Sequence, residues 1–171
     1  KIIMNIDIPK DLKLKCWNYL QNNNMGNRHS ANGNKENQLV GLIGEVLTKK
    51  LFNIEHKFLN GFDGGYDFLY NGKKTDVKTM GRNVNMKDDY VHHLIAFQKI
   101  YDCEIYIFNS INKRNNILQI CGWVTKNELL ERSDFITKGT ERLRNNGTKF
   151  LLKTDGYFIK NNQLNNIKEL L

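Results

Sequence analysis

The sequence predicts a single α/β domain in which helices flank a central mixed β-sheet. Three observations lead to this fold class: an amphipathic helix at residues 36–52, a strand–turn–strand segment at 66–79, and strand-like segments at 104–109 and 117–124. Helices and strands that succeed one another along a chain pack as layers around one core. The length of 171 residues fits one such domain, residues 1–171, with a buried interior.

The beginning of the chain predicts a small β-α unit. Residues 2–8 alternate in polarity, as a strand does, and Pro9 suits the first turn of a helix. Apolar residues then recur at intervals of three and four. We therefore divide the domain into an N-terminal β-α extension at 1–20, an Asn-rich connection at 21–37, a core at 38–124 and a basic C-terminal extension at 125–171.

The helix at 36–52 has an apolar stripe on one face. Its members are Leu39, Ile43, Val46, Leu47 and Leu51. Interior glycines cost a helix about 1 kcal/mol each relative to Ala, so Gly41 and Gly44 indicate a close approach by another element. Glu45 lies away from the stripe, on the face that carries Gly41. On this face of the helix, Glu45 is either exposed to solvent or directed at a functional site.

The sequence predicts four further elements of secondary structure. Residues 57–59 form a short strand, and 90–101 favour a helix, although 90–95 also fit a strand. Residues 157–159 read as a strand and 163–171 as a closing helix.

Composition limits the classes of function. The formal charge of +8 and the pI near 9.3 favour a polyanionic partner. No apolar run reaches the roughly 20 residues that cross a bilayer, and the first residues lack the apolar core of a secretion signal. We therefore expect no membrane association and a cytoplasmic location. Three widely spaced cysteines, Cys16, Cys103 and Cys121, predict reduced, structural thiols rather than a zinc site.

The chemistry lies in the segment at 66–79. Asn71-Gly72 between two strand-like runs predicts a two-residue type I′ hairpin, because both positions take positive φ. If Tyr70 pairs with Lys73, then Asp67 falls opposite Asp76. The period of two puts Lys78 on the same face as Asp76.

Opposed carboxylates repel each other across a sheet unless a cation compensates them. Mg²⁺ prefers oxygen ligands and keeps several waters, so Asp67, Asp76 and the backbone carbonyl of Val77 suit it, and Mn²⁺ is a substitute. The ammonium of Lys78 is placed to orient water or to neutralise charge on a phosphate. The hairpin therefore predicts metal-assisted phosphodiester hydrolysis.

Asp67, eight intervening residues and Asp76-Val77-Lys78 resemble the signature of the PD-(D/E)xK nuclease superfamily. The resemblance implies a restriction-endonuclease-like fold whose catalytic core is 38–124. It implies that Asp67 and Asp76 bind metal, that Lys78 is the catalytic lysine, and that Glu45 adds an acidic group from the helix. Asp63 is the alternative first acid, and the hairpin register favours Asp67.

The resemblance implies DNA as the partner and a phage or bacterial enzyme, in the host cytoplasm if phage-encoded, and more an endonuclease than an exonuclease. Basic residues near the hairpin and in the C-terminal region are the candidates for phosphate contacts: Lys73, Lys74, Arg142 and Arg144. Two alternatives stay open. One is a non-catalytic DNA-binding module of the same fold, and the other is a Holliday junction resolvase acting as a homodimer.

Overall fold

The computed structural model describes residues 2–23, 34–58, 64–144 and 146–171. Its helices are α1 (Lys10–Asn22), α2 (Lys35–Leu51) and α3 (Lys126–Arg132). Its strands are β1 (Met4–Asp7), β2 (Phe68–Tyr70), β3 (Lys73–Arg82), β4 (Val91–Ile95), β5 (Ile105–Asn112), β6 (Ile117–Thr125), β7 (Asp134–Ile136), β8 (Glu141–Leu143), β9 (Lys149–Leu151) and β10 (Gly156–Lys160). The predicted α/β class is confirmed.

The central sheet has five strands in the order β1-β6-β5-β3-β2. It is mixed, because β3 and β5 are parallel while the other neighbours are antiparallel. A second, antiparallel sheet has the order β4-β10-β7, and β8 and β9 form a separate hairpin. Strand β4 comes from the predicted core, whereas β7 and β10 come from the C-terminal segment. The two segments therefore share a sheet.

Two apolar clusters hold these layers together. Helices α1 and α2 cover one face of the central sheet, where Leu20, Ile43 and Leu47 pack with residues of β5 and β6. On the opposite face, Leu94, Leu129 and other side chains pack against the alternate residues of the same strands. The predicted helices thus cover one face, while the small sheet and α3 cover the other.

Helix α2 follows directly from its sequence. The side chain of Asn34 caps the helix by accepting a hydrogen bond from the Asn37 N–H at 2.8 Å. Glu36 lies in the first turn, and Lys49 and Lys50 lie in the last, each charge complementing the helix dipole. The helix begins and ends within one residue of the predicted range.

Helix α2 packs unusually close to β3. A Cβ atom at Gly44 would lie 1.9 Å from Thr79 Oγ1, which no real side chain tolerates. One turn later, Asn109 Nδ2 of β5 donates a hydrogen bond to Thr48 Oγ1 at 2.8 Å. The glycine lets the two backbones approach, and the buried polar pair fixes the helix on the sheet.

The preferred prediction of a helix at 90–101 is wrong, and the strand alternative for 90–95 is right. The segment forms β4 followed by a 3₁₀ turn at Ala96–Ile100. His92 and Leu94 are buried and alternate with less buried neighbours, which is the period of a strand. Pairing of β4 with β10, more than 60 residues later, decides the conformation.

The closing helix predicted at 163–171 is also absent. Short 3₁₀ turns occupy Asn161–Gln163 and Ile167–Glu169 instead. Asn165 exchanges two backbone hydrogen bonds with Trp123 of β6, at 2.9 and 3.1 Å, so this part of the chain runs along the sheet. Of the strand predicted at 57–59, residues 57 and 58 are not in a strand, and residue 59 lies outside the described residues.

The three cysteines are buried and form no disulfide, as their spacing predicts. Within the described ranges, no helix is both long and apolar enough to cross a membrane.

The packing of α2 on β3 predicts that alanine substitutions at two glycines of α2 have opposite effects on the free energy of unfolding. Gly44→Ala should lower the free energy of unfolding by about 1–3 kcal/mol, because the new methyl group overlaps Thr79. The close approach expected at Gly41 is absent, because an added Cβ there would meet no atom of another element within 4 Å. Gly41→Ala is therefore the matched control and should stabilise the helix by up to about 1 kcal/mol. Urea unfolding measures both. Equal stability of the two variants would contradict the close approach.

Candidate functional site

The hairpin has the turn and the register that its sequence predicts. Asn71 and Gly72 both have positive φ, 49° and 76°. Phe68 pairs with Thr75, Leu69 with Lys74, and Tyr70 with Lys73. The turn chemistry thus determines which residues of the two strands face each other.

Asp67 departs from the expected pairing. The ladder ends at Phe68, so Asp67 is not paired opposite Asp76. Instead its backbone N–H donates to the Thr75 carbonyl at 2.9 Å, and its carboxylate accepts the Val77 N–H at 2.6 Å. Gly65, with φ of 90°, turns the chain just before this point against the side chain of Tyr101. The alternative first acid, Asp63, lies outside the described residues.

Asp76 and Lys78 form an ion pair on β3. The Lys78 ammonium lies 2.6 Å from Asp76 Oδ2, and both side chains are largely buried. Residues two apart on a strand project to the same side, so the pair is a direct consequence of the Asp-Val-Lys spacing. The predicted proximity of the carboxylate and the ammonium is present.

A cleft of about 200 Å³ lies between α2 and β3. Five predicted site residues line it: Glu45, Asp67, Asp76, Val77 and Lys78. Its lining residues are Gln38, Gly41, Leu42, Glu45, Asp67, Asp76, Val77, Lys78 and Thr79. The helix, the segment before β2 and strand β3 therefore bring Glu45, Asp67, Asp76 and Lys78 to one cavity.

The edge of β3 is exposed to this cleft. Strand β2 pairs with β3 only as far as Thr75, and β3 continues to Arg82. The Val77 N–H points to the β2 side, where Asp67 accepts it. The N–H and C=O of one strand residue point to the same side, so the Val77 carbonyl is directed to that edge as well. This carbonyl is the backbone ligand that the sequence suggests.

Glu45 is held by a polar cluster behind the cleft. Lys49 Nζ lies 2.6 Å from Glu45 Oε1, and His56 Nδ1 lies 3.3 Å from the same oxygen. Burial opposes ionisation, but the hydrogen bonds to His56 and Lys49 and the lysine charge outweigh it and lower the pKa of Glu45. Glu45 thus remains charged in a partly buried position.

The pKa of Asp67 moves in the opposite direction. Burial and the negative charges of Asp76 and Glu45 raise it well above its usual value, while Lys78 and the Val77 N–H compensate only in part. Asp67 therefore retains a proton more readily than Glu45 does. A cation in the cleft would offset the repulsion from Asp76 and Glu45, which is the second cause of the shift after burial.

The residues present fit a hard divalent cation. Among the described residues, no three His, Cys, Asp or Glu side chains converge tightly enough to enclose a metal on their own. Mg²⁺ does not require such a cage, since one or two carboxylates with water and substrate oxygens suffice. Glu45, Asp67 and Asp76 line the same cleft, and burial together with the charges of Asp76 and Glu45 raises the pKa of Asp67, so a cation near these carboxylates would offset their mutual repulsion.

The predicted phosphate-binding residues lie outside the cleft lining. Lys73 is exposed beside the hairpin turn, and Lys74 forms an ion pair with Asp102 and lies over the Tyr66 ring. Arg142 and Arg144 belong to the β8–β9 hairpin region, over the rings of Phe158 and Phe150.

The sequence analysis did not select four residues at or behind the cleft. Gln38 and Thr79 line it, and Lys49 and His56 hold Glu45. Helical phase could have identified Gln38, which lies two turns before Glu45, and Lys49, which lies one turn after it. No local pattern indicates His56, because the chain must leave the helix and return toward it.

The raised pKa of Asp67 predicts a pH-dependent effect of Asp67→Asn. The native state holds this proton more tightly than the unfolded chain, so wild type loses stability as pH rises from the unfolded pKa through the native one. Asn retains an acceptor for the Val77 N–H but does not ionise. Unfolding in EDTA should therefore give equal stability near pH 4 and a more stable variant at pH 7. Parallel pH curves would contradict the prediction.

Comparisons with protein-family models, with curated proteins and with solved structures found no match to this chain. A functional assignment therefore rests on the geometry and charge of the cleft.

Proposed function

We propose that the protein is a divalent-metal-dependent nuclease that hydrolyses phosphodiester bonds in DNA. The observation that carries the proposal is the convergence of Glu45, Asp67, Asp76 and Lys78 in one cleft, from three separate elements. Carboxylates are ligands for a hard metal ion, and an adjacent ammonium can stabilise negative charge that develops on a phosphate. The resemblance of the hairpin to the PD-(D/E)xK signature supports the same reaction.

Asp67, Asp76 and the Val77 carbonyl would hold Mg²⁺, with Glu45 as a further acidic group. When bound, the ion supplies charge neutralisation for the phosphate and a more acidic water. Asp67 must release its proton for this, since an ionised carboxylate is the better ligand. Glu45 is already ionised, because Lys49 and His56 stabilise its charge.

Lys78 supplies a positive charge at the cleft. Its ammonium is 2.6 Å from Asp76 Oδ2. A cation on Asp76 would compete with this ion pair and leave the ammonium to a phosphate oxygen or to the attacking water. Positive charge placed where the phosphate gains negative charge stabilises the transition state.

One observation favours the alternative of a non-catalytic DNA-binding module. The Asp76–Lys78 ion pair neutralises both groups without a metal, as a purely structural pair would. Under this alternative the basic surface still binds DNA, but the protein does not cleave it. Replacement of Asp76 or Lys78 would then change only the free energy of unfolding. The two functions therefore differ in their dependence on Mg²⁺ and on Lys78.

Asp76→Asn and Lys78→Ala should each lower the rate of DNA cleavage by about 100-fold or more, since each removes a group that acts on the reacting phosphate. Glu45→Gln should have a smaller effect through weaker metal binding. The assay uses supercoiled plasmid, linear duplex, single-stranded DNA and a four-way junction, with Mg²⁺, Mn²⁺ or EDTA. The preferred substrate distinguishes a general nuclease from a junction resolvase.

Lys10→Ala, an exposed lysine on α1, is the control for loss of one positive charge and should cleave as wild type does. Circular dichroism establishes that each variant is folded. Salt-sensitive DNA binding without cleavage, equal in wild type and in the Asp76 and Lys78 variants, would reject the nuclease and favour the binding module.

A further inference from the structure

The even-numbered residues of β3 form a row of side chains on the face of the strand that is turned away from α2. The pairing of β3 with β5 is continuous over residues 75–82, so the strand keeps its period of two along this stretch. Thr79, an odd-numbered residue, lies directly against the helix. Asp76, Lys78 and Arg82 therefore project to the opposite side.

Arg82 lies at the end of this row that is distant from the cleft. It follows Lys78 by four strand residues, which is a distance of about 13 Å along β3. Strand β2 pairs with β3 only as far as Thr75, so within the described ranges no strand pairs with the outer edge between Lys78 and Arg82. The edge that begins at the cleft is thus open as far as Arg82.

Arg82 is a partly buried cation whose hydrogen-bond partners are neutral groups. Its Nη2 donates to the Val91 carbonyl at 2.6 Å and lies 3.7 Å from Met80 Sδ, while its buried Nε has no hydrogen-bond partner in the described part of the chain. Burial lowers the pKa of Arg82. No carboxylate of the described residues lies within 4 Å of the guanidinium. A partly buried cation without a counter-ion favours an anionic ligand.

Lys87 adds a second cation beside Arg82. The Lys87 ammonium lies 5.8 Å from the centre of the Tyr90 ring, and Arg82 Cζ lies 5.2 Å from the same centre. Lys87 is exposed, and among the described residues it has no carboxylate within 4 Å, although Asp88 and Asp89 follow it in the sequence. Other cations of the described chain are held in ion pairs with Asp or Glu: Lys49, Lys74, Lys78, Lys113, Arg132 and Lys149. The charges of Arg82 and Lys87 are therefore available to a ligand.

We propose that Arg82 and Lys87 form a phosphate-binding subsite that holds a DNA strand about four nucleotides from the phosphate at Lys78. The choice of DNA rests on the proposed function. Each strand of a duplex rises about 3.4 Å per phosphate, so the distance of about 13 Å along β3 corresponds to about four steps. The planar guanidinium of Arg and the point charge of Lys are both phosphate ligands. Because the edge of β3 is open between them, one strand can reach both Lys78 and the subsite.

The first test measures DNA affinity in EDTA, where no metal-dependent cleavage occurs. Fluorescence anisotropy of a labelled duplex gives the affinity across a series of salt concentrations. Arg82→Ala and Lys87→Ala should each reduce the slope of log affinity against log salt by about 0.9 and weaken binding about eightfold at 0.1 M salt, since each removes one phosphate contact. Lys10→Ala is the matched control, because Lys10 is an exposed lysine on α1, and it should keep the wild-type slope.

Lys87→Ala separates ligand binding from a structural role of Arg82. Replacement of Arg82 also removes the hydrogen bond to Val91, so urea unfolding must accompany its affinity measurements. Lys87 is exposed, and its replacement leaves the core intact. Wild-type salt slopes in the Arg82 and Lys87 variants would overturn the subsite. A slope reduced equally in Lys10→Ala would overturn it too, because the loss of any surface charge would then explain the effect.

Cleavage kinetics in Mg²⁺ test where the subsite lies relative to the reacting phosphate. A contact distant from that phosphate contributes equally to the binding of substrate and transition state, so its loss raises KM and leaves kcat unchanged. Arg82→Ala and Lys87→Ala should show this pattern, whereas Lys78→Ala should lower kcat. A loss of kcat in the Arg82 and Lys87 variants as large as that in Lys78→Ala would contradict the proposed distance.

The two proposals fail separately in these experiments. Reduced salt slopes in the Arg82 and Lys87 variants, without cleavage by wild type, would reject the nuclease and leave the two residues as a DNA contact. Cleavage that depends on Asp76 and Lys78, with wild-type slopes and KM in the Arg82 and Lys87 variants, would support the nuclease and reject the subsite. A wild-type protein that binds no duplex at low salt would reject the subsite as well.

Discussion

The candidate site depends on the close approach of α2 to β3 at Gly44 and Thr79. Any side chain at position 44 would hold the helix farther from the strand, because its Cβ would overlap Thr79. Glu45 follows Gly44 directly, so the same approach that packs the helix also brings its carboxylate to the cleft containing Asp67 and Asp76. Packing and chemistry are thus coupled through one glycine, with the Thr48–Asn109 hydrogen bond fixing the helix one turn later.

The three carboxyl groups of the cleft are compensated unequally. Glu45 has Lys49 and His56, and Asp76 has Lys78 at 2.6 Å. Asp67 has the Val77 N–H and only a share of the Lys78 charge, and the pKa of Asp67 is raised. Asp67 is therefore the carboxyl group whose ionised form is compensated least. A divalent cation beside it would favour the ionised carboxylate, as the metal-dependent function that we propose requires.

Local signals predicted the parts of the fold that local interactions determine. Asn71-Gly72 permits a turn with two positive φ values, and that turn determines the pairing of Phe68 with Thr75. The capped, amphipathic helix α2 likewise follows from its own residues. The segment at 90–101 was predicted less well, because its apolar residues fit two periods. Its strand exists through pairing with β10, a partner distant in the sequence.

The sequence by itself determined the hairpin, the helix with Glu45, and the Asp-Val-Lys spacing that pairs Asp76 with Lys78. These features depend on turn chemistry and on residue periodicity, both of which act over a few residues. Only the tertiary structure decided that Asp67 leaves the ladder to accept the Val77 N–H, that His56 reaches Glu45, and that the β8–β9 hairpin packs Arg142 over Phe158 of β10. Each of these contacts joins residues that only packing brings together, so no short sequence pattern predicts it.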